Sequence, residues 1–187
     1  SNGAMATPNL GLNMATINLG IGYAIGNKEL KYIKDTIPKC IKKWHPVLIA
    51  LFGLRELEQP DGPKYMAYGA QVNVYRTLNY KNRLGGGIEM AYNNTTRKYY
   101  ENDSVFNTKF KDIVTVGAKI SYAFTFNKIS LPVDFGYYIY NRELPFGHIF
   151  HRIGIRYMIT KHLIANVTLL THFARADYFE RGLGYEL

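Results

Sequence analysis

The chain has 187 residues, the length of one domain, and 47% of them are hydrophobic although the mean hydropathy is slightly negative. No apolar run reaches the ~18 residues that a membrane-spanning helix needs, and the single cysteine, Cys40, excludes a disulfide framework. The net charge is +9, but the lysines and arginines are scattered, which argues against nucleic-acid binding and suits a surface that faces anionic lipid headgroups.

Apolar and polar residues alternate with period two over about nine stretches, which predicts an antiparallel transmembrane β-barrel of the outer-membrane type. The clearest stretch is Val114–Phe126, which is long enough for a tilted membrane strand of ~9–11 residues. The 16 tyrosines and 10 phenylalanines suit aromatic girdles at the two membrane interfaces. In chain order, the predicted strands are Met14–Gly26, Trp44–Glu58, Tyr68–Val74, Leu84–Tyr92, Val114–Phe126, Ile129–Ile139, Ile149–Ile159, His162–Phe173 and Tyr178–Leu187.

The connections between these strands alternate between tight turns and longer polar loops. The tight ones are Asn79–Asn82, Asn127–Lys128 and Thr160–Lys161, and the longer ones are Gln59–Lys64, Asn93–Lys109 and Asn141–Gly147. Outer-membrane barrels place short turns in the periplasm and long loops outside. Counting back from the last strand puts Ser1–Asn13 at the extracellular rim and makes 27–43 a periplasmic insertion within one barrel domain, 1–187. Because nine strands is an odd number, we expect an N-terminally truncated barrel that lacks its first strands.

Charged residues at lumen-facing positions of the strands allow two interpretations. His172, Asp177 and Glu180 cluster near the turn between the last two strands, where a catalytic role is one alternative. The favoured alternative is a structural network inside the barrel, because buried charges must pair. Its members would be His172 and Glu180 with Arg152, Arg156, Asp134 and Glu89.

No metal site is predicted. His148 and His151 are three residues apart, so on a strand they point to opposite faces and cannot bind one ion together. No cofactor is expected either.

The first thirteen residues read Ser-Asn-Gly-Ala-Met-Ala-Thr-Pro-Asn-Leu-Gly-Leu-Asn. This segment resembles the active-site segment of the lipid A 3-O-deacylase family, which carries a His-x-Ser-Asn motif followed by Pro-Asn-x-Gly. The rest of the chain resembles the acyloxyacyl hydrolase branch of Bacteroidetes-type bacteria. The matching segments are Lys42–Trp44, Gly87–Glu89, Arg152–Tyr157, Thr171–Asp177 and Glu180–Tyr185.

The resemblance implies a role for each matching residue of this segment. Ser1 would be the nucleophile, Asn9 would donate to the oxyanion, and the backbone amides near Asn2 and Gly3 would complete the oxyanion hole. The base, a histidine two residues before the serine in the family, is not in this chain, so the chain as written should lack a working base. Asn13 falls where simpler members carry an acid, and its amide would orient the histidine without stabilising an imidazolium as a carboxylate does. A tag-cleavage scar is the alternative explanation of Ser1.

The resemblance and the topology together predict an outer-membrane serine esterase that removes an ester-linked acyl chain from lipid A of lipopolysaccharide. The implied partners are lipopolysaccharide and outer-membrane lipids, with no nucleic acid and with a homodimer left open. Two alternatives remain. One is a non-catalytic outer-membrane barrel, such as a porin, an adhesin or a lipid-binding protein. The other is a soluble lipocalin-like barrel, which would keep apolar residues inside and polar residues outside.

Overall fold

The computed structural model describes residues 20, 22–23, 40–56, 63–102, 109–142, 147–172 and 175–187. Eight strands of 10–14 residues account for most of this part of the chain, with two helices in one of the loops. In chain order the elements are β1 (Trp44–Glu56), β2 (Lys64–Thr77), β3 (Asn82–Asn93), α1 (Asn94–Asn102), α2 (Phe110–Ile113), β4 (Val114–Phe126), β5 (Ile129–Tyr140), β6 (Ile149–Met158), β7 (Leu163–His172) and β8 (Arg175–Glu186).

The strands form a closed antiparallel barrel in which every strand pairs with its neighbours in the sequence. β1 pairs with β2 on one side and with β8 on the other, so that Leu48 lies opposite both Val72 and Tyr185. The predicted fold class is therefore confirmed. The predicted count of about nine strands is corrected to eight, because β1 has no free edge left for another strand.

The predicted first strand, Met14–Gly26, lies largely outside the described residues. Gly20, Gly22 and Tyr23 are described and belong to no strand. Of the predicted insertion at 27–43, only 40–43 is described, and it has no regular secondary structure. The ring of eight strands closes without the additional strands that the odd count had suggested.

The period-two alternation places apolar side chains outside the barrel and polar side chains inside it. Ile120 and Ile139 are each 66% exposed, whereas the neighbouring Ser121 is fully buried. This arrangement is the reverse of a soluble lipocalin-like barrel and is the one that a lipid bilayer requires. The outward-facing surface is therefore a membrane-spanning belt. No helix among the described residues is long and apolar enough to cross a membrane.

The two ends of the barrel differ in their connections. At the end that we name the turn end, neighbouring strands are joined by the short connections at 78–81, 127–128 and 159–162. Asn127 adopts a positive φ of 51° there, a conformation that asparagine tolerates better than most residues. The opposite end, named the loop end, carries three longer connections, of which the one between β3 and β4 contains α1 and α2, and the two-residue connection between β7 and β8. This alternation agrees with the pattern of turns and loops predicted from the sequence.

Candidate functional site

A network of buried ion pairs crosses the barrel interior. Lys119 on β4 donates to Asp134 on β5 at 2.6 Å, and neither side chain is exposed to solvent. Arg152 on β6 reaches Glu180 on β8 at 2.5 Å and Glu89 on β3 at 2.6 Å. The lumen network predicted from strand parity is thereby confirmed for Asp134, Arg152, Glu180 and Glu89, and Lys119 is a further member that was not predicted.

Aromatic rings fill part of the barrel interior next to the ion pairs. The ring of Phe150 is fully buried and packs beside Tyr138, with 4.6 Å between the ring centroids. Gly136 and Gly117 lie against the same ring, and a side chain at either position would collide with it. The interior of the barrel is therefore a packed core of charges and rings and not a water-filled channel.

At the loop end of the barrel, His172 lines a cavity together with Tyr138, Asp177 and Arg55. We name these four residues the His172 cluster. The phenol of Tyr138 and the His172 Nε2 are 3.1 Å apart, and the His172 Nδ1 is 3.7 Å from an oxygen of Asp177. Arg55 on β1 donates to the other oxygen of Asp177 at 2.7 Å. The cluster therefore joins residues from β1, β5, β7 and β8 around one imidazole.

The cavity beside the cluster is lined by polar groups and opens toward the loops. Its further lining includes Glu89, Asn93, Thr96, Thr115, Asn141 and Arg152. The space suits a few water molecules or a small polar group, and the only described hydroxyls that line it belong to threonines and tyrosines. An imidazole next to a carboxylate can accept or deliver a proton. The cavity thus has a candidate base, but no serine or cysteine lines it among the described residues.

The sequence around His172 explains this composition. Read from His172, the family motif His-x-Ser-Asn would place serine at position 174 and asparagine at position 175, where this chain has Ala174 and Arg175. The chain therefore matches only the histidine of the motif here.

The residues predicted as the active site, Ser1, Asn2, Gly3, Asn9 and Asn13, all lie outside the described part of the chain. Their roles stay predictions.

Both histidines considered for metal binding lie within the described residues. His148 stacks on Tyr137 and His151 lies edge-on to Phe135. No group of three potential metal ligands occurs among the described residues.

Tyr138 and Arg55 are members of the cluster that the sequence analysis missed. Tyr138 shares the inward face of β5 with Asp134 and Gly136, so strand parity was a signal that could have found it. Arg55 lies near the end of β1, a strand whose alternation is poorly marked in the sequence. Its pairing with Asp177 depends on the closure between β1 and β8, which no local pattern indicates.

No curated protein matches the chain at a significant level. Among solved structures, the chain is similar to Ail, the attachment invasion locus protein of Yersinia pestis, with 11% identity and a TM-score of 0.43. That structure holds Ail in complex with the heparin analogue sucrose octasulfate. The similarity covers 79% of this chain and 100% of the Ail chain. Neisserial surface protein A is similar with 9% identity and a TM-score of 0.38, over 77% of this chain and 95% of that chain.

The comparison with protein families is more specific. The family model described as acyloxyacyl hydrolase, C-terminal domain, matches residues 43–187. The matched range begins one residue before β1 and includes all eight strands of the barrel. The family match therefore agrees with the resemblance found in the sequence, and the chain belongs to the acyloxyacyl hydrolase family.

Proposed function

We propose that the protein is an outer-membrane serine esterase that removes an ester-linked acyl chain from lipid A of lipopolysaccharide. The observation that carries the proposal is the family match over a barrel whose outer face is predominantly apolar. An acyloxyacyl bond joins a fatty acid to a lipid that remains in the membrane. An enzyme that spans the bilayer can reach this bond without extracting the substrate.

In the proposed mechanism, Ser1 attacks the ester carbonyl while a histidine two positions before it accepts the hydroxyl proton. Asn9 and the amides near Asn2 and Gly3 stabilise the oxyanion, where one preorganised donor contributes roughly 3–4 kcal/mol to the transition state. The histidine then gives this proton to the alkoxide oxygen that leaves, which becomes a hydroxyl group on lipid A. Water attacks the acyl-serine and releases the fatty acid, and Asn13 keeps the histidine ring oriented. No metal is needed for these steps.

The described barrel would hold the substrate at the outer leaflet, with the loop end facing outward. In this orientation, positively charged residues at the loop end would face the phosphate groups of lipid A. They include Lys64, Arg97, Lys98, Lys109, Lys111 and Arg142.

The test is incubation of the complete protein, in detergent, with purified lipopolysaccharide, followed by mass spectrometry of lipid A. We expect the loss of one acyl chain, and no loss with Ser1→Ala. Ser130→Ala, which removes a hydroxyl at the turn end, serves as the matched control and should leave the activity unchanged. The full gene should also encode histidine two positions before Ser1. Deacylation by the Ser1→Ala protein would move the nucleophile elsewhere.

A second candidate is a non-catalytic barrel that binds lipid or a cell surface. The observation that favours it is Ala174, which stands where the spacing of the family motif, read from His172, would place the serine. The filled interior argues against the porin form of this alternative. An unchanged lipid A spectrum from a fully folded protein, together with saturable binding of lipopolysaccharide, would favour this candidate over the esterase.

A further inference from the structure

A second cavity, which we name the turn-end pocket, opens at the end of the barrel opposite the His172 cluster. Its polar lining consists of Tyr75, Arg83, Lys128, Ser130, Arg156 and Glu186, and its apolar wall includes Val47 and Ile164. Three of the six polar residues are cations and one is an acid. The pocket is separated from the His172 cluster by the ion-pair network in the middle of the barrel.

Arg156 is the central cation of the turn-end pocket and is only 5% exposed. Its Nε donates to the Asn166 side-chain oxygen at 3.0 Å, and its Nη1 donates to the Tyr75 hydroxyl at 2.6 Å. Its Nη2 is buried and has no hydrogen-bond partner among the described residues. All the direct acceptors of this guanidinium are therefore neutral, and one of its nitrogens is still available to donate.

The acid in the pocket is already engaged by other groups. Both oxygens of Glu186 accept from Arg83, at 3.1 Å and 3.0 Å, and His45 Nδ1 lies 2.7 Å from one of them. Lys128, in the exposed turn at the mouth, has no ion pair among the residues that the structure describes. Arg156 and Lys128 thus add positive charge to the pocket without a carboxylate in contact with either.

We propose that the turn-end pocket binds a phosphate group, with Arg156 as the buried ligand and Lys128 as the cation at the mouth. A guanidinium presents its donors in a planar fork that matches phosphate oxygens, and charge-assisted bonds of this kind are stronger than neutral ones. A bound water would satisfy the Nη2 hydrogen but would add no negative charge to a pocket lined by three cations and one acid. Phosphate does both, and it can come from a phospholipid headgroup or from a soluble anion.

The experiment follows the arginine side-chain resonances of the whole chain by NMR in two arms. In detergent micelles, inorganic phosphate is titrated against sodium chloride at equal ionic strength. In nanodiscs made of a phosphate-free glycolipid, phosphatidylglycerol is added in increasing fractions, without added phosphate. A saturable shift of Arg156 in the nanodisc arm identifies the lipid headgroup as the source, whereas a shift in the micelle arm alone identifies a soluble anion.

Lys128→Gln should weaken the response about tenfold, since it removes one charge-assisted contact at an exposed turn that tolerates substitution. Arg156→Lys keeps the charge but loses the fork, and should also weaken binding, which the resonance of Arg83 in the same pocket reports in this variant. Lys161→Gln, in another exposed turn at the same end, is the matched control and should bind as the parent protein does. A response absent from both arms, or equally strong in Lys128→Gln and Arg156→Lys, would overturn the proposal.

Discussion

Lys119 and Asp134 form an ion pair of 2.6 Å in the centre of the barrel, with neither side chain exposed to solvent. The Lys119 Nζ also donates to the side-chain oxygen of Gln71 at 2.9 Å, and the carboxylate of Glu89 lies 3.4 Å away. The pair therefore joins β2, β3, β4 and β5 across the interior. Charges removed from water in this way remain favourable only while every partner is present.

Lys119→Met should lower the free energy of unfolding by about 3–5 kcal/mol, because it leaves Asp134 as a buried charge without its closest partner. Replacing both residues, by Lys119→Met with Asp134→Leu, should recover much of this loss. The measurement is urea unfolding of the barrel in lipid vesicles. A single variant as stable as the parent, or a double variant no more stable than the single one, would contradict the prediction.

The lipid-facing belt contains one charged residue near the middle of a strand. Arg181 faces outward on β8, where it lies opposite Phe52 of β1 and Val167 of β7, and both of these side chains are exposed. The Arg181 side chain forms no hydrogen bond or ion pair with the described residues. Arginine on the lipid face costs about 2–4 kcal/mol at the bilayer midplane and ~0–1 kcal/mol near the interfaces.

Arg181→Leu should therefore stabilise the barrel in vesicles, by up to about 2–4 kcal/mol. The matched control is Arg76→Leu at the turn end, where the guanidinium lies 5.5 Å from the centre of the Trp44 ring and close to the interface. Its effect should stay within about 1 kcal/mol. Destabilisation by Arg181→Leu would instead mean that Arg181 binds a lipid phosphate or an acidic partner within the membrane.

The strands were predictable where the two faces of the sheet differ in polarity. The predicted stretch Val114–Phe126 coincides with β4, because its outward face is apolar and its inward face carries Lys119 and Ser121. β1 was poorly marked in the sequence for a physical reason. Its inward residues Val47, Ile49 and Leu51 pack in an apolar cluster at the turn end, so both faces of the strand are apolar.

Other features depend on interactions that a local pattern does not contain. Helix α1 lies in the segment predicted as the polar loop 93–109, and it carries no apolar stripe that would have indicated a helix. The meeting of Tyr138, His172 and Asp177 depends on the register of three strand pairs, including an irregularity between Leu170 and Thr171. Strand parity predicts which residues face inward, but it does not predict which of them meet.

The loop end should respond to acid through Asp112. The Lys109 amide donates to this carboxylate at 3.0 Å and Arg142 forms an ion pair with it. The amide hydrogen bond and then the guanidinium hold the pKa of Asp112 below its usual value of 3.8. Because the pKa of Asp112 is lower in the folded protein, the contact stabilises the fold fully at pH values above 3.8. This stabilisation is lost as the pH falls through the lowered pKa.

A carbon-13 NMR titration of the Asp112 carboxyl should therefore give a midpoint below 3.8. Arg142→Gln should raise the midpoint part of the way, since the amide hydrogen bond remains in that variant. A midpoint at or above 3.8 in the parent protein would show that this contact does not form in solution.

The last prediction is that a serine introduced near His172 creates esterase activity. Ala174→Ser, made in a Ser1→Ala background, places a hydroxyl two residues after His172, the spacing of the family motif. If His172 can act as a base, the variant should hydrolyse a p-nitrophenyl ester about 10²-fold faster than the same protein with His172→Ala. Ala176→Ser, which adds a hydroxyl nearby at a different spacing, is the matched control and should remain inactive. Equal rates with and without His172 would show that the Tyr138 and Asp177 contacts serve only to hold the imidazole in the barrel.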